Sequence, residues 1–286
     1  IEMAKEIKKL KVGILGATGT VGQKFIVLLQ NHPWFEISAL AASKESAGKK
    51  YEEAVRGRWK QEVDIPESVR SVVVQDASKP NLKCDFVFSG LDANVAGEIE
   101  KAFAMAGYGV ISNTKNYRTD PDVPLMVPEV NPDHASVIPF QQKRRKWNGF
   151  IVTNPNCVVV PLVMALKPVM DKWGVAKIML TSMQAISGAG YPGVPSMDIL
   201  DNVIPMIGGE EPKVEWEPLK LLGSVKKDGF KLANIKISAQ CNRVPTKDGH
   251  FLTVAFSTKK PAKLGEVKRA IRNFKAEPQK MKLPSA

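Results

Sequence analysis

The sequence predicts an α/β protein built in two parts: a doubly wound, mainly parallel sheet first, then an α+β domain on an antiparallel sheet. Three observations carry this. Short β-rich runs alternate with helical stretches up to about Ser112, as in successive βαβ units. A glycine triplet, Gly16, Gly19 and Gly22, closes the first run and opens the first helix. From about Phe150 onward, long strands replace short ones.

Taken in order, Lys11–Leu15 reads as a short apolar strand and Val21–Leu29 as an apolar-periodic helix that Asn31-His32-Pro33 ends. Phe35–Ala42 is a second strand, and Ser71–Val74 and Phe86–Ser89 are two more. Ala93–Ala106 is a helix closed by Gly107, followed by strand Gly109–Ser112. Asn113–Pro139, rich in Pro, Asp and Asn, reads as ordered loop. Strand Phe150–Thr153 leads into Asn154-Pro155-Asn156-Cys157. An apolar helix then runs to about Lys172, with Pro168 as a kink or break and Gly174 as its stop. Ala176–Ile186, Asn234–Arg243 and His250–Ser257 are long strands, and Lys263–Lys275 is a helix. The expected division is residues 1–153 for the first domain and 154–286 for the second.

With 286 residues, 44% hydrophobic and 24% charged, the chain has the usual globular mix and needs no disulfide staples. Its apolar runs are too short to span a bilayer, and Ile1–Lys11 lacks the features of a secretory signal. Cys84, Cys157 and Cys241 form neither a metal spacing nor a paired framework, which points to a reducing, cytoplasmic setting and no metal. The net charge is +12, but the densest basic run, Lys143-Arg144-Arg145-Lys146, lacks aromatic interleaving and reads as a solvated face, not a nucleic-acid site.

In Gly16-Ala17-Thr18-Gly19-Thr20-Val21-Gly22 the glycines permit a tight turn, close approach to a pyrophosphate and close packing of helix on strand. The helix N-terminus offers oriented N–H groups to the anion. A Rossmann-type dinucleotide site is therefore expected on Gly16, Thr18, Gly19, Thr20, Val21 and Gly22. Beyond the second strand, Ser43, Lys44 and Ser46 suit a 2′-phosphate and hence NADP, although Glu45 is the kind of acid an NAD site would carry.

Cys157 lies between a strand and a helix, with Pro161 marking the helix start close by. A thiol there feels the positive end of the helix dipole, which favours thiolate, and the same N–H groups are suited to an oxyanion. A lone cysteine is equally a small packing residue, which is how Cys84 and Cys241 read. Of three histidines, His32 looks like a helix terminator and His134 lies in a loop. His250 stands in a turn between two long strands that would present it together with Arg243, an imidazole for proton transfer beside a guanidinium suited to a carboxylate.

Several segments together resemble one family, aspartate-semialdehyde dehydrogenase of the archaeal and fungal branch: Gly16–Gly22, Ala42–Lys49, Ser112–Arg118 with Asp120–Pro124, Pro128–Asn131, Thr153–Cys157, Gln184–Gly190, Gly209–Lys213 and Arg243–His250. They occur in the family's order over nearly the whole chain. The resemblance implies NADPH-dependent reductive dephosphorylation of L-4-aspartyl phosphate to the semialdehyde, in the pathway to lysine, methionine, threonine and isoleucine. It implies Cys157 as nucleophile, His250 as acid/base and Gln184 as the group orienting the acyl-enzyme. Arg243 would meet the substrate carboxylate and Glu210 its amino group, while Arg118, Asn156 and Lys213 would bind phosphate. Ser187, Gly188 and Ala189 would form part of the cofactor wall. A homodimer or homotetramer through the second domain is implied as well.

Two departures stand out. Members of the family commonly carry Ser or Thr after the nucleophile, where this chain has Val158-Val159-Val160 and loses a capping hydroxyl. The family also continues past Leu283–Ala286 with a strand and a helix that pack back on the cofactor domain. Either this segment is missing or it lies beyond Ala286; true absence would leave an apolar face exposed and cofactor binding weakened. Malonyl-CoA reductase, N-acetyl-glutamyl-phosphate reductase and an inactive NADP-binding scaffold are the competing readings.

Overall fold

The computed structural model describes residues 8–283. The chain forms two compact units, one comprising the chain through Pro124 with Ile138–Asn154, the other Leu125–Val137 with the chain from Pro155 onward.

The first unit contains β1 (Leu10–Leu15), α1 (Thr20–Leu28), β2 (Phe35–Ala42), α2 (Tyr51–Ala54), α3 (Glu67–Arg70), β3 (Gln75–Asp76), β4 (Phe86–Ser89), α4 (Ala93–Met105), β5 (Gly109–Ser112), α5 (Ile138–Arg145) and β6 (Phe150–Thr153). The sheet order is β3-β2-β1-β4-β5-β6, every neighbouring pair parallel. Side chains alternate across the sheet, so successive strand residues enter different cores. Val12, Ile14 and Leu40 pack with Ile26 and Tyr51, and Leu15, Ala39 and Val87 pack with Phe103 and Ile151. Burial of both faces explains why these strands read as continuous apolar runs. The order reverses between β1 and β4, which puts the glycine loop after β1 at the topological switch point, where doubly wound sheets bind ligands.

The strand expected at Ser71–Val74 is reduced to Gln75–Asp76. The three valines have strand propensity, but Val72 and Val74 donate to Val69 and Lys49 instead of the sheet, and Val73 keeps one isolated bridge to Lys50. The expected loop 113–139 is irregular up to a 3-10 turn at Pro132–Val137, and then α5 begins. Lys143, Arg144 and Lys146 are exposed as expected, but Arg145 is not simply solvated. It donates at 2.6 Å to the buried Asp122 and at 2.5 Å to Asp120, over the Trp147 ring.

The second unit contains α6 (Val159–Trp173), β7 (Val175–Gln184), α7 (Ser196–Ile199), α8 (Glu211–Leu221), β8 (Ser224–Lys226), β9 (Gly229–Lys231), β10 (Lys236–Arg243), β11 (Phe251–Thr258), α9 (Leu264–Arg272) and α10 (Glu277–Lys280). The three-stranded sheet has the order β10-β7-β11. β11 runs antiparallel to β7 and β10 parallel to it, so the sheet is mixed. The turn between the two long strands Lys236–Arg243 and Phe251–Thr258 crosses the end of β7, which lies between them. Leu162, Val163, Leu166 and Val169 of α6 join Ile178, Leu180 and Cys241 in the core. Pro168 is carried within α6 without ending it, and Gly174, at φ +68°, does end it. Met179 and Phe251 are exposed on the sheet. An apolar pocket of about 300 Å³ lies between α6, β11 and α9, lined by Leu162, Leu166, Leu252, Val254, Phe256 and Ile271. Among the described residues no helix is long and apolar enough to cross a membrane.

Candidate active site

In the first unit the glycine loop is as tight as its sequence suggests. Gly16 has φ +76°, and a Cβ at Gly22 would stand 2.2 Å from the Gly16 carbonyl oxygen. No side chain caps α1 at Gly19, so its first-turn N–H groups are not taken by a capping residue. The buried Tyr51 hydroxyl donates to the Ala17 carbonyl at 2.8 Å and pins the loop. Past β2, Ser43 and Lys44 are exposed, while Ser46 is buried with a hydroxyl that has no hydrogen-bond partner among the described residues. An orphaned hydroxyl beside a lysine, with a backbone cradle that any side chain would fill, fits a phosphorylated dinucleotide. Arg118 is also in this unit. Its Nε and a terminal nitrogen donate to the Thr114 and Asn113 carbonyls, each at 3.1 Å, which presets the guanidinium.

In the second unit the exposed Cys157 lies just before α6. His250 Nε2 stands 3.1 Å from its Sγ. The other ring nitrogen, Nδ1, accepts the Ala185 N–H at 3.1 Å. A neutral imidazole with Nδ1 accepting must carry its proton on Nε2, directed at the sulfur. Burial, and then the nearby Arg243 guanidinium, lower the His250 pKa below its ordinary value, with Glu210 opposing. The ring is therefore held in its neutral form. Cys84 and Cys241 are the packing residues expected, and burial pushes the Cys84 thiol up to about 11.

Arg243 and Gln184 are register partners at the ends of β10 and β7, and both are buried. Arg243 donates to the Ala185 carbonyl at 2.7 Å. Ala185 thus orients both site residues, its N–H holding His250 and its carbonyl holding Arg243. Ile186 and Ser187 donate to Thr246 and Lys247, tying the segment Ser187-Gly188-Ala189 to the turn that carries His250. A Cβ at Gly188 would sit 2.9 Å from Arg243 Nη1 and 3.1 Å from His250 Cε1, so only glycine leaves room there.

Asn156 Nδ2 donates to Glu210 Oε1 at 2.7 Å, and Lys213 Nζ lies 3.2 Å from Glu210 Oε2. Burial works to raise the Glu210 carboxyl, but Asn156, Lys213 and Gln184 together outweigh it and hold the group below the usual range. One expectation is corrected here. The Val158 N–H is bound by Asn156 Oδ1, and the Val159 and Val160 N–H groups by the Asn156 carbonyl. The three valines offer no capping hydroxyl, so Asn156 caps α6 itself, and these N–H groups are not open to an oxyanion.

Of the residues singled out from sequence, Cys157, His250, Gln184, Arg243, Glu210, Asn156, Lys213 and the 187–189 segment all lie in the second unit, while Arg118, the glycine loop and Ser43–Ser46 lie in the first. Sequence reasoning missed Ala185, which acts through its backbone and leaves no side-chain signal. It also missed α8, whose hydrophobic periodicity is broken by glutamates.

The combination of a switch-point glycine loop with a cysteine–histidine pair defines a dehydrogenase class. Residues 11–138 match the model of the semialdehyde dehydrogenase NAD-binding domain, and residues 166–284 match that of the semialdehyde dehydrogenase dimerisation domain. The aspartate-semialdehyde dehydrogenase of Schizosaccharomyces pombe is 51% identical over 283 residues, covering 96% of this chain and 78% of that protein. That of Archaeoglobus fulgidus is 49% identical over 267 residues, covering 93% and 77%. The crystal structure of the Candida albicans enzyme with NADP superposes with a TM-score of 0.90 at 46% identity, covering 98% of this chain and 80% of that one. The chain belongs to the aspartate-semialdehyde dehydrogenase family.

Proposed function

We propose that the protein catalyses the NADPH-dependent reductive dephosphorylation of L-4-aspartyl phosphate to L-aspartate 4-semialdehyde and phosphate. The observation that carries this reading is the Cys157–His250 pair, with the proton on Nε2 facing the sulfur and Arg243, Glu210 and Lys213 grouped in the same unit.

In this reading the Cys157 thiolate, stabilised by the His250 Nε2–H, attacks the acyl carbon, and the C–O bond to phosphate breaks to leave a thioester. Gln184 orients that acyl group. Arg243 receives the α-carboxylate through its planar fork, and Glu210 receives the ammonium. Arg118, Asn156 and Lys213 bind the phosphate. Bound NADPH supplies the hydride that reduces the thioester. His250 shares its Nε2 proton through a hydrogen bond with the oxygen that gains charge, and that oxyanion re-forms the carbonyl as the C–S bond breaks, releasing aldehyde and regenerating thiolate. Gly16, Thr18, Gly19, Thr20, Val21 and Gly22 hold the cofactor pyrophosphate, and Ser43, Lys44 and Ser46 hold the 2′-phosphate. Ser187, Gly188 and Ala189 wall the nicotinamide side.

The protein acts in the cytoplasm, supported by Cys84, Cys157 and Cys241 standing outside any disulfide, and as a homodimer or homotetramer through its second domain. The relatives' dimerisation-domain model and the exposed Met179 and Phe251 support that assembly.

The test is phosphate-dependent reduction of NADP by aspartate semialdehyde, run beside malonyl-CoA and N-acetylglutamyl phosphate with NADPH. Turnover is expected with the aspartate substrate, and turnover only with another would overturn the reading. Cys157→Ala abolishes turnover and leaves NADPH quenching intact.

A further inference from the structure

Among the described residues of the second unit, Glu217 is the buried acid that the reaction above does not use. It lies on α8, seven residues beyond Glu210, and seven residues fall about 20° short of two full helical turns, so both carboxylates leave one face. Glu217 is 2% exposed, and its Oε2 accepts the backbone N–H of Asn156 at 2.6 Å. Asn156 is thereby held at three points: its N–H by Glu217, its Nδ2 by Glu210 and its Oδ1 by the Val158 N–H. Cys157 is the one residue between these anchors.

We propose that Glu217 is the positioning residue for the Cys157 thiolate. The 2.6 Å bond to the Asn156 N–H fixes the backbone entering the nucleophile, and the Asn156 Oδ1 bond to the Val158 N–H fixes the backbone leaving it. Glu210 cannot do this alone if, as proposed above, it turns toward a substrate ammonium. During that exchange Glu217 keeps Sγ against His250 Nε2. α8 and the Glu210 that precedes it therefore carry both the group that receives the substrate and the group that aligns the nucleophile. This inference rests on the proposed reaction for the role of Glu210, but the placement of Cys157 is measured without any substrate.

The experiment compares Glu217→Ala and Glu217→Gln with the parent chain. Readouts are kcat, KM for aspartate semialdehyde, NADPH affinity, thermal midpoint, and the pH profile of Cys157 alkylation by iodoacetamide. Cys84 and Cys241, half-buried and buried, contribute little to that profile. Glu217→Ala is expected to lower kcat by roughly 100-fold, the size of effect a misplaced reacting group produces, with KM and NADPH affinity changed less than about threefold. Its alkylation slows and its profile moves to higher pH. Glu217→Gln keeps an acceptor oxygen and recovers most of both. Should the alanine variant fail to fold, Glu217→Asp, with a reach shorter by about 1.5 Å, carries the same expectation. A folded Ala or Asp variant with the parent's kcat and alkylation profile overturns the proposal, as does a lowered midpoint with an unmoved profile. A parent that does not turn over aspartate semialdehyde, yet whose alkylation depends on Glu217, refutes the reaction and leaves the positioning role standing.

Discussion

His250 Nε2 lies 3.1 Å from Cys157 Sγ while its Nδ1 accepts the Ala185 N–H, so one backbone amide decides which nitrogen faces the nucleophile. His250→Asn is expected to lower kcat by about 10² to 10⁴-fold, the usual worth of a positioned proton carrier, with a much smaller change in KM. Steady-state kinetics at fixed NADP check this, and a loss confined to KM would contradict the acid–base role.

The pH dependence follows from the same ring. Burial and Arg243 lower the His250 pKa below 6.5, and the neutral ring is the active form, so protonation switches the enzyme off only below that value. The acid limb of the kcat/KM profile is expected under pH 6.5. A limb assigned to His250 and centred above pH 6.5 would show that the ring is not desolvated as the structure has it.

Gly188→Ala brings a methyl group to 2.9 Å from Arg243 Nη1 and 3.1 Å from His250 Cε1. Both side chains must give way, and kcat/KM is expected to fall about 10- to 100-fold while the thermal midpoint stays near the parent's. Kinetics and a melting curve on one preparation separate the two effects.

Gly22→Ala meets backbone instead of flexible side chains: the Gly16 oxygen at 2.2 Å and the Ala17 Cα at 2.7 Å. The loop must move off α1, at a cost of roughly 1–3 kcal/mol as in other overpacked sites. NADPH affinity, followed by fluorescence titration, is expected to drop at least tenfold. Cys157 alkylation is expected to stay at the parent rate, because the thiol and its partners belong to the other unit.

His134 is fully buried against Phe230, and burial lowers its pKa to about 4, with Asp133 and Lys220 acting in opposite senses. The folded state holds the ring neutral and the unfolded state protonates near 6.5. The contribution is therefore complete above pH 6.5 and is lost as the pH falls from 6.5 toward 4, by roughly 3 kcal/mol at most. Urea denaturation between pH 7.5 and 4 measures the loss. His134→Phe is expected to lessen its slope, and an unchanged slope would assign the acid sensitivity to other groups.

The sequence by itself determined the parts whose physics is local. Gly16 and Gly22 state a turn because only glycine tolerates φ +76° at the first and a carbonyl oxygen 2.2 Å from the Cβ position at the second. The apolar runs of β1, β2, β4 and β5 state a sheet buried on both faces, and Cys157 before Pro161 states a thiol at a helix start. The turn between two long strands offered His250 and Arg243 together, and the resemblance gave them roles and added Gln184 and Glu210, because family motifs keep residue types at fixed spacings.

Tertiary structure alone decided how those groups act. Which strand neighbours β7 depends on a crossover through α7 and α8, and strand propensity is blind to it, so a mixed sheet and an antiparallel one read alike. The Val72–Val74 run shows the converse: a good local strand whose N–H groups found partners outside the sheet. The tautomer of His250 comes from Ala185, a residue whose side chain carries no information, and the hold on Asn156 comes from Glu217, sixty-one residues away. A backbone amide and a distant buried carboxylate act through position, and position exists only once the chain has folded.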